Sequence, residues 1–431
     1  DIGKTNKKLL LLNEQYRIVH EQQTCPEETA DEDGDPCEDL QLLTCNMQQQ
    51  LLEVLQLPDF TVKALNVSAY GASLVYTDAA GKSIAPLYNY LKPYPAELQE
   101  QLYNTYGGKE VFIHTTASPA LGSLNAGLQL YRIKHTRPEL FARTRYAMHL
   151  PQYLSFLFSG IPFSEMTSIG CHTAMWDFTH NKYHTWVENE GLLDKLPPVM
   201  PAKETNKIVV QGNPLQVGIG LHDSSAALIP YLLNFREPFI LLSTGTWCVS
   251  MNPFNHQPLT TAELEQDCLC YISYEGLPVK ASRLFAGHAH ESAAKTIAAH
   301  FHEDAASYKN MIYDPVMVQT LSQWPEFNIL HLARYENSTL AYHHLVMQLV
   351  AQQQVATRLV LGGTPVKRLF VDGGFARNSI YMHLLALAFP DMEIYAATVS
   401  QASAVGAALA IHNSWNTQPL PTDLVELKHY A

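Results

Sequence analysis

Asp1-Ile2-Gly3-Lys4-Thr5-Asn6-Lys7-Lys8-Leu9-Leu10-Leu11-Leu12 is the stretch on which the fold turns. As the tail of a Walker A loop, Gly3-Lys4-Thr5 has to open directly into a helix. Here it opens onto four leucines, a turn at Asn13-Glu14-Gln15 and a second β-like run from Tyr16 to Gln23. The spacing therefore predicts a strand hairpin with a glycine turn at its start. In such a hairpin the loop amides, not a helix N-terminus, face an anion. Asp1 then ends a strand and faces Mg²⁺ through water, while Gly3, Lys4 and Thr5 surround terminal phosphates. The same residues also make an ordinary hairpin turn.

The pattern returns in the second half. Phe239–Ser243 and Cys248–Met251 flank Gly245 in Ser243-Thr244-Gly245-Thr246-Trp247, so Gly245 and Thr246 form a second candidate phosphate loop. This weak duplication predicts two related α/β domains, residues 1–234 and 235–431, with a nucleotide in the cleft between them. Between the hairpins, Val217-Gly218-Ile219-Gly220-Leu221-His222 leads to Asp223 and then Ser224-Ser225-Ala226-Ala227. A lone Asp at a strand-to-helix junction suits a general base, and the same placement suits a helix N-cap. His222 is placed to bond a substrate hydroxyl or a backbone group. Gly373-Gly374, after a short Leu369–Val371 strand and before Asn378, suits the close approach of a planar ring, and a double glycine also marks ordinary loops. Two phosphate loops and an isolated carboxylate are the parts that phosphoryl transfer to an alcohol requires.

The rest of the chain bounds the class. At 431 residues it is long enough for two cores, and 47% hydrophobic with 16% charged residues is a globular composition. A net charge of -13 argues against a nucleic-acid partner, but not against a nucleotide held by amides and a metal ion. No apolar run is long enough for a membrane span, and no signal peptide is visible in a chain that opens without Met. Seven scattered cysteines read as reduced thiols, which favours the cytoplasm. Cys25–Asp39 reads as an exposed acidic loop, Leu40–Leu57 as a helix, and Val62–Val75 as strand, glycine turn at Gly71 and strand. Lys195–Asn213 reads as a proline-rich polar connection. Asp31-Glu32-Asp33-Gly34-Asp35 fails as an EF-hand because its glycine comes too early, and His288-Ala289-His290-Glu291 lacks a partner cluster for a metal.

The order of these motifs resembles the FGGY family of carbohydrate kinases. The best-matched parts are Asp1–Lys8, Gly220–Ala227, Ser243–Trp247, Gly373–Asn378 and Ser403–Leu409. His222-Asp223-Ser224, Gly245-Thr246-Trp247 and Tyr274-Glu275-Gly276 are most similar to the branch of L-rhamnulose and L-fuculose kinases. The resemblance implies two actin-like, ribonuclease H-like domains with an interdomain nucleotide cleft, and ATP with Mg²⁺ as cofactors. It implies Asp223 as proton acceptor, Thr246 as a phosphate contact, and Gly374 with Asn378 in the adenosine site. It also implies that Gly71 and His222 touch the sugar, with Tyr70 beside them. The departures lie in the sugar pocket and near the nucleotide. Where that branch reads Asp-Thr-Trp-Gly-Val-Asp, this chain reads Ser68-Ala69-Tyr70-Gly71-Ala72-Ser73. The Asn and Gln that follow the family's Arg are not evident around Arg283-Leu284-Phe285-Ala286-Gly287. The expectation is an ATP-dependent kinase of a ketose or related polyol, compatible with a homodimer. A non-catalytic sugar sensor on the same fold is the alternative, and an actin- or chaperone-like ATPase acting on protein is a third reading.

Overall fold

The computed structural model describes residues 1–399 and 401–431. In the second half, seven strands form one sheet. Their order is Cys268–Ile272, Pro278–Leu284, Cys248–Asn252, Phe239–Thr244, Arg368–Gly373, Glu393–Thr398 and Glu426–Tyr430. The strands beginning at Phe239, Arg368 and Glu393 run parallel, and the flanking pairs are antiparallel. Both faces of this centre are covered, so its residues are apolar in succession rather than alternately. Ile240 and Leu242 pack with the helices Ala286–Phe301, Ser338–Leu361 and Ser379–Ala388. Phe239 and Leu241 pack on the other face with Asp223–Asn234 and Ala402–Ala410.

The first half repeats the arrangement on shorter strands. Lys7–Leu12 pairs antiparallel with Ile18–Thr24, as the hairpin reading requires. Ile2 bridges antiparallel to Lys7 and parallel to Ala69. Ser68–Ala69 runs parallel to Leu221–His222, and Ala64–Leu65 runs parallel to Asn213–Gly218. Each half thus places a hairpin with a glycine turn beside parallel strands. Both turns are closed by the amide of their glycine but differ in length: Gly3 N donates to Asn6 O, three residues on, at 2.9 Å, and Gly245 N to Trp247 O, two residues on, at 3.0 Å. A cavity of about 590 Å³ lies beside the first hairpin, between Leu9–Leu12, residues 62–67 and the Ala404–Ala408 side of a helix.

Two sequence expectations are corrected. Cys25–Asp39 is not simply an exposed loop: it holds a small hairpin, Glu28–Ala30 with Pro36–Glu38, and buries Cys37 and Glu38. Lys92 causes this, because its ammonium gathers Asp31, Asp33 and Asp35 at 2.5, 2.8 and 2.9 Å and folds the acidic run inward. The polar connection Lys195–Asn213 also contains a strand, Thr205–Val210, which pairs with Asn213–Gly218.

The helix Asp223–Asn234 ties the two halves together. A Cβ on Gly406 would stand 1.8 Å from Ala226 O, so only glycine permits this close crossing of Ala402–Ala410 over it.

Candidate active site

Ile2, Ala69 and His222 are neighbours across three parallel strands. Gly3, Tyr70 and Asp223 therefore follow side by side where those strands end, with Gly71 next to Tyr70, while Asp1 lies one residue back, level with Ser68. Ligands of open α/β sheets bind at such carboxyl ends.

Asp223 is the first residue of its helix, and the cap position belongs to His222. The N-cap reading of Asp223 is corrected accordingly: its Oδ1 accepts from Ser224 N at 2.6 Å, one residue on, rather than from the second or third helical amide. Ser224 Oγ adds a longer bond of 3.2 Å. The side chain is 28% exposed, so a ligand can reach it. Burial nevertheless pushes its carboxyl up to about 6, against the stabilising Ser224 bonds. His222 Nε2 stands 3.2 Å from Asp223 Oδ1, and His222 Nδ1 3.3 Å from Ser225 Oγ. Burial lowers His222 to about 3, so at neutral pH it is an uncharged hydrogen-bonding group. Its backbone N donates to Thr167 Oγ1 at 3.0 Å, and Thr167 in turn is held by the buried Glu165.

Gly71 is required here by contact. A Cβ would meet Cys171 Sγ at 2.4 Å and the His222 ring at 3.1 and 3.2 Å. Cys171 Sγ lies 3.1 Å from His222 Nε2 and 3.5 Å from His172 Nε2. His172 Nδ1 donates to Leu124 O at 3.0 Å, which leaves its Nε2 as an acceptor. Burial raises the Cys171 thiol well above its usual range, so it acts as a wall rather than a nucleophile. Sequence reasoning missed Cys171 and His172, because a lone Cys-His pair carries no spacing signal. Tyr70 is buried, and its hydroxyl donates to Glu38. Ser68 Oγ donates to Asp1 Oδ1 at 2.8 Å. Lys4 Nζ pairs with Glu28 at 2.8 Å and lies over the Tyr70 ring, so its charge is engaged within the protein.

A second group forms around Thr244. Its hydroxyl donates to Asp372 O at 2.5 Å and accepts from Phe375 N at 3.0 Å, while Gly374 N donates to Thr244 O at 2.9 Å. Gly373 has φ +93°, and its Cβ would fall 2.0 Å from Thr244 O. The Gly245–Thr246 loop and the Gly373–Gly374 turn are thus one assembly, closed by the helix that begins at Ala286: His288 N donates to Thr246 O at 3.1 Å. Asn378 caps the Ser379–Ala388 helix through Tyr381 N and donates to Tyr342 OH at 2.8 Å. The two groups are linked through one helix. Asp223 begins it, and Tyr231, about two turns on, donates its hydroxyl to Asp372 at 2.9 Å.

The residues fit a magnesium nucleotide. Among the described residues, Asp1 Oδ2 makes no hydrogen bond within the protein, leaving a hard oxygen donor of the type Mg²⁺ takes. A Cβ on Gly245 would meet only Trp247 O at 3.8 Å, so the loop is open on that side.

The chain belongs to the FGGY family of carbohydrate kinases. The family's N-terminal domain matches residues 1–229, and the carbohydrate kinase FGGY C-terminal domain matches residues 236–419. A rhamnulokinase from Oceanobacillus iheyensis is 21% identical over 214 residues, a match spanning 46% of this chain and 43% of that protein. The structure is similar to a carbohydrate kinase from Novosphingobium aromaticivorans, with TM-score 0.76 and 24% identity over 100% of this chain and 95% of the other. A ligand-bound xylulose kinase from Lactobacillus acidophilus gives TM-score 0.82 at 13% identity, over 100% and 92%. These likenesses fix the two-domain FGGY kinase fold. No helix among the described residues is long and apolar enough to cross a membrane.

Proposed function

We propose that this chain transfers the γ-phosphoryl group of ATP to a hydroxyl of a free sugar, a ketose or related polyol. The observation that carries the reading is the meeting of Gly71, His222 and Asp223 at the ends of adjacent parallel strands, beside the loop that follows Ile2. Bound Mg²⁺·ATP supplies the phosphoryl group and a cation to offset its charge. Asp223 takes the proton of the attacking hydroxyl, and neutral His222, whose Nε2 stands 3.2 Å from the Asp223 carboxylate, orients that hydroxyl. Amides of the Gly3–Asn6 and Gly245–Trp247 turns hold the phosphates, Thr246 adds a contact, and Gly373, Gly374 and Asn378 border the adenosine. We place the domain boundary near Asn234-Phe235, with the sugar site and the first phosphate loop before it and the second phosphate loop and the adenosine site after it. Free thiols throughout agree with a reducing compartment. The test is ATP turnover with a panel of ketoses, aldoses and polyols. Sugar binding without turnover on any member overturns catalysis and leaves the sensor reading.

The second loop yields a prediction. Nothing in the protein crowds a Cβ at Gly245. Gly245→Val should therefore fold, yet weaken ATP binding by about tenfold or more through crowding of the bound phosphates, with sugar binding little changed. Calorimetry with each ligand separately checks it; equal losses for both would mean general misfolding.

Sugar choice yields another. Ser68 Oγ is engaged by Asp1, and Ser73 is buried, so neither replaces a carboxylate acceptor. L-Rhamnulose should bind less tightly than in the rhamnulose branch, by about 1–3 kcal/mol for each charged hydrogen bond lost. A ketose or polyol of different stereochemistry should have the higher kcat/KM. A first rank for L-rhamnulose would show that other residues supply the missing acceptors.

A further inference from the structure

Lys7 opens the first hairpin strand, and its side chain turns back under the preceding loop. Its ammonium donates to Gly3 O at 3.0 Å and to Lys4 O at 2.9 Å, and lies 2.6 Å from Glu38 Oε1. Glu38 Oε2 accepts from Tyr70 OH at 2.6 Å. All three side chains are buried. A buried ammonium is tolerated when it is paired and hydrogen-bonded, and here it has both a carboxylate and two carbonyls.

Peptide planarity gives this contact a consequence. In a trans peptide the carbonyl of one residue and the N–H of the next point in opposite directions. With the Gly3 and Lys4 carbonyls drawn to Lys7, the N–H groups of Lys4 and Thr5 must point away from it. Among the described residues, neither amide donates a hydrogen bond within the protein. Two successive free amides on the same side of a turn form an anion-binding concavity. The Lys4 ammonium, held by Glu28 at 2.8 Å, is a separate contact and leaves these amides uncovered.

We propose that Lys7, Glu38 and Tyr70 form a buried clamp on the first loop, in which Lys7 is a positioning residue that turns the Lys4 and Thr5 amides toward the terminal phosphate of the nucleotide. The inference rests on the kinase reading above. Because Tyr70 precedes Gly71, the clamp also joins the phosphate loop to the wall of the sugar site.

The test measures binding of Mg·AMP-PNP and Mg·ADP by calorimetry. Lys7→Met combined with Glu38→Gln removes both charges together and leaves no orphaned ion. This pair should weaken Mg·AMP-PNP by about tenfold or more, because the loop loses two charged hydrogen bonds that fix its geometry. Mg·ADP, which lacks the terminal phosphate, should change less than about threefold. Tyr70→Phe keeps the ring and loosens only Glu38, so it should weaken Mg·AMP-PNP by about threefold. Affinity within twofold of wild type in the folded double variant overturns the clamp. Equal losses for both nucleotides also overturn it, since they indicate general packing. If the double variant does not fold, unchanged Mg·AMP-PNP affinity in Tyr70→Phe overturns it. Failure of wild type to bind either nucleotide is distinct: it overturns the kinase reading and this inference with it.

Discussion

Asp223→Asn lowers sugar phosphorylation by about 10²–10⁴-fold, the contribution of a positioned base, and leaves ATP affinity near that of wild type. Asn keeps the planar shape and an oxygen to accept from Ser224, so the helix start survives. What it lacks is the capacity to take a proton. The pH profile separates this role from a structural one. A base works as the carboxylate, and burial raises Asp223 to about 6. The wild-type rate should thus fall as pH drops through about 6, rather than near 4 as for an exposed Asp. His222, His172 and His149 are lowered by burial to about 3, 3 and 4, so none supplies that limb. Buried Glu165, raised to about 7, is the group that could be mistaken for it. The variant settles this, because a limb near 6 that vanishes from the residual activity of Asp223→Asn belongs to Asp223. Turnover close to wild type in a folded variant would leave Asp223 as a structural residue at the helix start.

The sequence made some of this legible and concealed the rest for identifiable reasons. The hairpins at Lys7–Thr24 and Phe239–Asn252 were readable because a glycine turn beside apolar strands is a local signal. The junction at His222-Asp223 was readable too, although its two readings, base and cap, came apart only when the cap fell on His222. Glu38 was hidden because an acidic, turn-rich run looks solvated. Its burial depends on Lys92, more than fifty residues away, and on Lys7 from the neighbouring hairpin. Thr205–Val210 was hidden by the prolines before it, which marked the whole segment as a connection. Cys171 was hidden most completely. Nothing in its neighbours marks it, and its role exists only through the gap that Gly71 leaves.

That gap sets the second large effect. Gly71→Ala should lower kcat/KM for the sugar by about 10²-fold, the scale that a displacement of about 1 Å costs at a reacting centre. The backbone at Gly71 is not in the left-handed region, so alanine brings no conformational strain there. The cost is contact alone. The new methyl would stand 2.4 Å from Cys171 Sγ and 3.1 Å from the His222 ring. Cys171 is fully buried, with His172 and His222 on either side of its sulfur, and has little room to retreat. The methyl therefore displaces His222, which stands 3.2 Å from the Asp223 carboxylate. Adding Cys171→Ala removes the sulfur and leaves the His222 ring, at 3.1 Å or more, as the nearest contact. The double variant should recover most of the lost rate, while Cys171→Ala alone serves as the control. Steady-state kinetics with a turned-over sugar, beside melting temperatures for all three variants, checks this. If Gly71→Ala alone keeps the wild-type rate, the site tolerates a side chain there and His222 is not held by that contact. If the single variant is impaired and the double is no better, the loss arises elsewhere than at the sulfur.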